Sequence, residues 1–176
     1  MNDANAGYRF AEGGESELEE IIQEYGEKLL RYATGILCDY QEAENIVQDV
    51  FLSAYRNRAS FNGENLSAWL YKITYHRSLN QLKKRRLFVL GEIHRPQPAA
   101  AESRVLSDKT LRALRKLKPK ERAVLYGRIM EEQSYEQLSR LTGESPTALR
   151  KRYERAKKKM AALLAADSEG KGKDYE

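Results

Sequence analysis

The chain has 176 residues, of which 41% are apolar and 32% charged, with a mean hydropathy of −0.74. This is enough for one ordinary domain or two small ones with modest cores. A single cysteine, Cys38, excludes an intrachain disulfide and a multi-cysteine zinc site. No apolar run resembling a signal peptide opens the chain, and no segment approaches the ~20 apolar residues of a membrane span, so a cytoplasmic location is expected.

The net charge of +5 is unevenly placed: residues 1–86 hold 11 Lys/Arg against 13 Asp/Glu, while residues 106–176 hold 18 against 11. Such asymmetry points to a phosphate-binding C-terminal part and a front part with other partners.

Residues 1–14 are polar and Gly-rich and are expected to be disordered. Ser16-Glu17-Leu18-Glu19 then reads as a capping box, Ser16 taking the amide of Glu19 while Glu19 reaches back. Leu18, Ile21, Ile22, Tyr25, Leu29, Ala33, Ile36 and Leu37 supply the apolar face of the helix that follows, with Cys38 as a buried thiol at its end. Asp39-Tyr40-Gln41-Glu42 repeats the box, and Ala43, Ile46, Val47, Val50, Phe51, Ala54 and Tyr55 form the inner stripe of the next helix. Its opposite face carries Asn45, Gln48, Asp49, Leu52 and Arg56.

Asn62-Gly63 is a turn signal, and Asn65 is placed to cap a helix starting near Leu66. That helix has two apolar stripes on opposite sides, Leu66, Trp69, Leu70 and Ile73 against Tyr71, Tyr75, Leu79 and Leu82. Either it is buried on both sides, or one face offers aromatic rings and cations to a partner. The intervening Lys72, His76, Arg77, Asn80 and Lys83 favour the partner. Rings interleaved with cations suit unpaired DNA, where each stacked base contributes roughly 1–3 kcal/mol.

Residues 87–105 lose the helical period, and Pro96-Gln97-Pro98 marks a flexible linker, although Leu87, Phe88, Val89, Leu90 and Ile93 suggest that its first part packs on something. A second domain spans 106–165. Ser107 is placed to cap its first helix, and Pro119 opens another at a position where a missing amide costs nothing. Ser134-Tyr135-Glu136-Gln137 caps a short helix that Gly143 ends, and Ser145-Pro146 opens the last one. Two helices joined by Thr142-Gly143-Glu144 are the signature of a helix-turn-helix.

Leu149, Tyr153, Ala156 and Met160 face the core of that last helix, while its other faces are cationic. A charge run by itself is a solvated face. Directly after a helix-turn-helix turn it reads as a major-groove helix, with Arg150, Lys151 and Arg155 contacting bases and Glu154 able to read cytosine. Ser134, Tyr135, Arg152 and Lys158 fall where phosphate contacts or local supports belong. Residues 166–176 read as a disordered tail. With two histidines, no Cys/His metal spacing, no phosphate loop and no nucleophile elbow, neither a cofactor nor a metal nor enzymatic catalysis is expected. A helix-turn-helix regulator acting on duplex DNA, or an adaptor whose basic domain binds RNA, fits the same composition.

Ala68-Trp69-Leu70-Tyr71-Lys72-Ile73 with Asn80 resembles the promoter-melting helix of the extracytoplasmic-function sigma factors, the detachable specificity subunits of bacterial RNA polymerase. Glu42 through Phe51 is similar to the segment with which that family docks on the polymerase, and Ser134-Tyr135-Glu136 with Ser145 through Ala156 is similar to its minus-35 reader. His76, Asn45 and Thr147-Ala148-Leu149 depart from the usual Asn, Asp and Gly-Thr-Val. The resemblance implies an all-α chain of two small helical domains, with residues 15–86 as the region 2 domain and 106–165 as the region 4 domain. It implies that Asn45, Gln48, Asp49, Leu52 and Arg56 bind the β′ clamp helices, with the β flap as a second polymerase contact. It further implies that Phe61, Asn62, Glu64, Asn65, Trp69, Lys72, His76, Arg77, Asn80 and Lys83 meet the minus-ten element. An anti-sigma partner is implied as well, and no small-molecule substrate.

Overall fold

In a computed structural model, which describes residues 3–62, 64–89 and 106–169, the helices begin where short polar side chains can take orphan amides. The first domain contains α1 (Asp3–Glu12), α2 (Glu15–Leu37), α3 (Tyr40–Arg56), a 3-10 turn (Arg58–Ser60) and α4 (Leu66–Val89). The second contains α5 (Asp108–Arg115), α6 (Pro119–Ile129), α7 (Tyr135–Thr142) and α8 (Pro146–Glu169). No strand occurs among the described residues.

Asp39 Oδ1 accepts from Glu42 N at 3.0 Å, Asn65 Oδ1 from Ala68 N at 2.8 Å, and Ser107 Oγ from Thr110 N at 3.2 Å. The Ser134–Gln137 box closes in both directions, at 3.1 and 2.6 Å.

Three expectations change. Residues 3–12 form a helix, because Phe10 gives that segment a buried anchor at 1% exposure. Ser16 does not cap α2: the cap is Gly14, whose amide donates to Glu17 Oε2 at 2.8 Å. The second and fourth domain boundaries also move, since α4 runs on through Val89 and α8 through Glu169. The rest of the linker, 90–105, and the tail from 170 onwards lie outside the described residues.

The two domains pack on one another and share a core. Ala123, Tyr126 and Leu141 of the second domain join Leu29, Tyr32, Ile36, Tyr71 and Tyr75 of the first. Arg122, only 8% exposed, sits at the seam. Its Nε donates to the carbonyls of Leu114 at 2.8 Å and Leu117 at 3.1 Å, and its two Nη atoms donate to Ile36 at 2.6 Å and Arg115 at 3.1 Å. Nearby, Arg115 donates to the carbonyl of Cys38 at 3.1 Å. Cys38 is buried, as its sequence position suggests, and ends α2 in the left-handed conformation at φ 55°.

Tyr32 lies edge-on to Tyr71 at 5.1 Å and tilted to Tyr126 at 5.8 Å. Tyr71 Oη then donates to Glu131 Oε2 at 2.5 Å across the seam.

Gly35 is the point of closest approach, since a Cβ there would lie 2.8 Å from Tyr126 Cδ2. In a free helix Gly35→Ala would be favourable by up to ~1 kcal/mol. Here Tyr126 would have to move, and the expected result is a destabilisation of about 1–3 kcal/mol in thermal unfolding. A raised Tm would show that the domains do not meet at this glycine.

Candidate nucleic-acid interface

The sequence leaves α4 two roles, and the structure divides it between them. Leu66 and Leu70 are fully buried in the first domain, with Trp69 and Ile73 half-buried beside them. Tyr71 and Tyr75, on the other stripe, are buried as well, and Leu79 and Leu82 are half-buried. The helix is therefore covered on both sides, and its tyrosine stripe is not open for base stacking in this arrangement. Spacing shows that two faces are apolar but not what covers the second, which here is the other domain folded back.

Exposed on α4 are a polar stripe of Lys72, His76, Asn80 and Lys83 and, toward its end, Lys84, Arg86 and Leu87; Leu87 is 71% exposed, so it does not pack as its apolar character suggests. Arg77 turns toward α3 and pairs with Asp49 at 3.6 Å. Arg85 is also drawn to α3, where it meets Asp39 at 3.0 Å and both carboxylate oxygens of Glu42, at 2.6 and 2.5 Å. Of the cations at this end of α4, Arg85 is thus a strut while Lys83, Lys84 and Arg86 stay exposed.

Ahead of α4, Phe61 is buried and stacked on Trp69, with ring centroids 4.8 Å apart. Asn62, Glu64 and Asn65 are exposed. The Asn62 and Asn65 side-chain oxygens are already engaged, with Glu64 N at 3.2 Å and Ala68 N at 2.8 Å. Their amide nitrogens and the Glu64 carboxylate are the groups left to face a base edge.

On α3, Asn45, Gln48, Asp49, Leu52 and Arg56 are all exposed, Leu52 at 51%. The tight inner stripe fixes this outward face: Ala43, Val50 and Ala54 are fully buried, so a rotation of α3 would unpack the bundle.

In the second domain Gly143, at φ 76°, turns the chain between α7 and α8. Ser145 Oγ accepts from Ala148 N at 3.3 Å, and Leu149 and Ala156 are buried. This leaves Arg150, Lys151, Glu154, Arg155 and Lys158 exposed along one run of α8. Arg152 is different: it pairs with Glu144, which also receives Lys120 Nζ at 3.0 Å. Burial acts to raise the Glu144 carboxyl, but the hydrogen bonds from Lys120 and Arg152 outweigh it and hold the group below the usual carboxylate range. Arg152 is therefore engaged locally, tying α8 to Glu144 in the turn before it. Ser134 is spent on capping α7, and Tyr135 lies 5.2 Å beneath the Arg150 guanidinium and 4.7 Å from that of Arg128.

Sequence reasoning missed α1, Arg58, Arg85 and the Tyr71–Glu131 contact. An acid at Asp3 and the pair Gly13-Gly14 after Glu12 were start and stop signals for α1. The others are long-range contacts without a local signature. Among the described residues there is no group of three or more His, Cys, Asp or Glu able to hold a metal, and no helix long and apolar enough to cross a membrane.

Two family patterns match the chain: Sigma-70 region 2 over residues 17–88 and Sigma-70, region 4 over residues 107–160. RNA polymerase sigma factor YlaC of Bacillus subtilis is 28% identical over 151 residues, covering 80% of this chain and 87% of that protein. ECF RNA polymerase sigma factor SigM of Mycobacterium tuberculosis is 25% identical over 162 residues, covering 90% and 80%. The co-crystal structure of the sigma factor RpoE with the anti-sigma factor NepR from Bartonella quintana superposes with a TM-score of 0.67 at 25% identity, over 85% of this chain and 99% of that one.

The exposed stripe also carries a pH signature. Desolvation first, then Lys72 and Lys83, hold the His76 imidazole below its ordinary pKa. The unfolded chain therefore binds more protons here, so His76 penalises folding as pH falls through its ordinary value and not above it. Relative to wild type, His76→Asn should gain stability between about pH 8 and about pH 5.5. A difference in Tm that does not change with pH would contradict this.

Proposed function

The chain belongs to the sigma-70 family of RNA polymerase sigma factors, in its extracytoplasmic-function branch, and from that premise we propose how its surfaces divide the work. The observation that carries the reading is the run of exposed Arg150, Lys151, Glu154, Arg155 and Lys158 behind a left-handed glycine turn, in the same chain as the exposed Lys72, His76, Asn80 and Lys83. The α8 run enters the major groove of the minus-35 element, with Arg150, Lys151 and Arg155 on base edges and Lys158 on phosphate. The α4 stripe and the loop before it hold the separated minus-ten strand. Lys72 and Lys83 neutralise phosphates, Trp69 stacks, and Asn62, Glu64 and Asn65 meet an extruded base. The exposed face of α3 around Asp49 and Leu52 docks on the β′ clamp helices, and the second domain meets the β flap. The protein acts by binding rather than catalysis and works in the cytoplasm, where its polymerase is.

The closed seam bears on how this works. By their names the two promoter elements lie about 25 base pairs apart, roughly 85 Å of duplex at 3.4 Å per pair. A compact chain of this length has a radius of gyration of about 16 Å. The seam through Arg122 and Tyr71 must therefore part before both elements are read, and an anti-sigma partner that holds it shut would silence the factor.

The deciding experiment adds the purified chain to core polymerase on a duplex promoter. Initiation that depends on the chain is expected, and polymerase that initiates no differently with it would overturn the reading. Asp49→Lys should weaken binding to core polymerase, and unchanged affinity would place the anchor elsewhere. Arg155→Ala should cost about 1–3 kcal/mol at one base pair and relax preference there. An unaltered base profile in a binding selection would remove that residue from the reading set.

A further inference from the structure

The N-terminal helix α1 lies outside the residues 17–88 that match the region 2 pattern, yet it packs against the corner where that domain is read as separating strands. Phe10 is buried, and its ring centroid is 6.5 Å from that of Trp69, while Phe61 stacks on the same indole at 4.8 Å. The turn that places α1 there is tightly specified: a Cβ at Gly13 would lie 2.5 Å from the Arg9 carbonyl oxygen and 2.5 Å from Glu17 Cγ. Arg58 then ties this turn to the minus-ten loop. Its Nε donates to the Gly13 carbonyl at 3.1 Å and an Nη to the Tyr55 carbonyl at 2.7 Å, and its guanidinium lies 4.2 Å from the centre of the Tyr55 ring. Three residues after Arg58 comes Phe61. A further tether, Arg9 to Glu20 at 3.0 Å, is a surface ion pair and adds little.

We propose that α1 is a positioning element for promoter opening, with Phe10 as its positioning residue, holding the Trp69 ring and the Phe61 loop in the orientation that receives the unpaired strand. This rests on the reading of Trp69 given above. An indole already held by two neighbouring rings loses little further freedom when a base stacks on it, so ordering is completed on folding rather than on melting. The surfaces read above as polymerase-binding and minus-35-binding are on other helices, α3 and α8.

Trp69 is the only tryptophan of the chain, so its fluorescence reports on this contact directly. In the 176-residue chain, Phe10→Ala should red-shift the emission and raise acrylamide quenching, and Phe10→Leu should restore most of the wild-type signal. With core polymerase, Phe10→Ala should lower permanganate-detected opening of a duplex promoter by roughly three- to tenfold, the size of one lost aromatic contact. Initiation from a template already unpaired at the minus-ten element should fall by a smaller factor, because there the strand contacts do not have to drive melting.

Trp69→Ala serves as the reference. If it abolishes opening while Phe10→Ala opens normally, the role of α1 is overturned and the reading of Trp69 stands. If both variants open normally, the Trp69 reading falls and the proposal with it. Increased opening by Phe10→Ala would make α1 a cover rather than a support, and an equal loss on duplex and unpaired templates would reveal a folding defect. Either result overturns the proposal.

Discussion

A buried guanidinium with no carboxylate paired to it among the described residues decides how this molecule is put together. Desolvation pulls the pKa of Arg122 downward, and what keeps the charge acceptable is a ring of backbone carbonyls from Ile36, Leu114, Arg115 and Leu117. Three of these come from the α5–α6 corner and one from the last turn of α2. Helix C-termini carry partial negative charge and unpaired oxygens, so a single cation satisfies several of them at once. Taking the first domain away would leave both Arg122 and the Ile36 carbonyl short of a partner. The seam is therefore polar at its centre and apolar around it, with Gly35, Tyr32 and Tyr126 in direct contact on one side of the arginine.

From that seam follows the double life of α4. One of its stripes belongs permanently to the first domain, since Leu66 and Leu70 have no exposure at all. The other stripe, Tyr71 and Tyr75, is buried where the second domain packs, Tyr71 lying edge-on to Tyr32 of the first domain and fastened by a hydrogen bond to Glu131 of the second. A helix apolar on both sides would be a liability on a free surface. Closing the chain on itself hides the stripe, and the proposed open form would uncover it where polymerase and unpaired DNA are present to use it. Charge is handled in the same economical way: Arg85, Arg77 and Arg152 are held by Asp39 and Glu42, by Asp49 and by Glu144, which leaves a smaller set of exposed cations facing outward.

Much of this could be read from local residues. Caps such as Asp39, Asn65, Ser107 and Ser134 act within four residues of themselves, so the sequence specifies them completely, and the outward face of α3 follows from the period of its inner stripe. The start of α2 departs from the Ser16–Glu19 pattern: Gly14 has no side chain to cap with, and only half of a box forms, Glu17 accepting from the Gly14 amide. A local residue pattern does not show that the buried Phe10 and the Gly13 turn set the helix start two residues earlier.

The sequence by itself determined an all-helical chain in two parts, the starts of α3, α4, α5, α7 and α8, the glycine turn of the helix-turn-helix and the cationic run on α8, because each depends on interactions spanning a few residues. Only the tertiary structure decided that the tyrosine stripe of α4 is covered, that Arg85 and Arg152 are struts, that residues 3–12 fold onto Trp69, and that Arg122 joins the domains. Those outcomes rest on groups 8 to 86 residues apart, and a one-dimensional period carries no information about which of several apolar faces will meet.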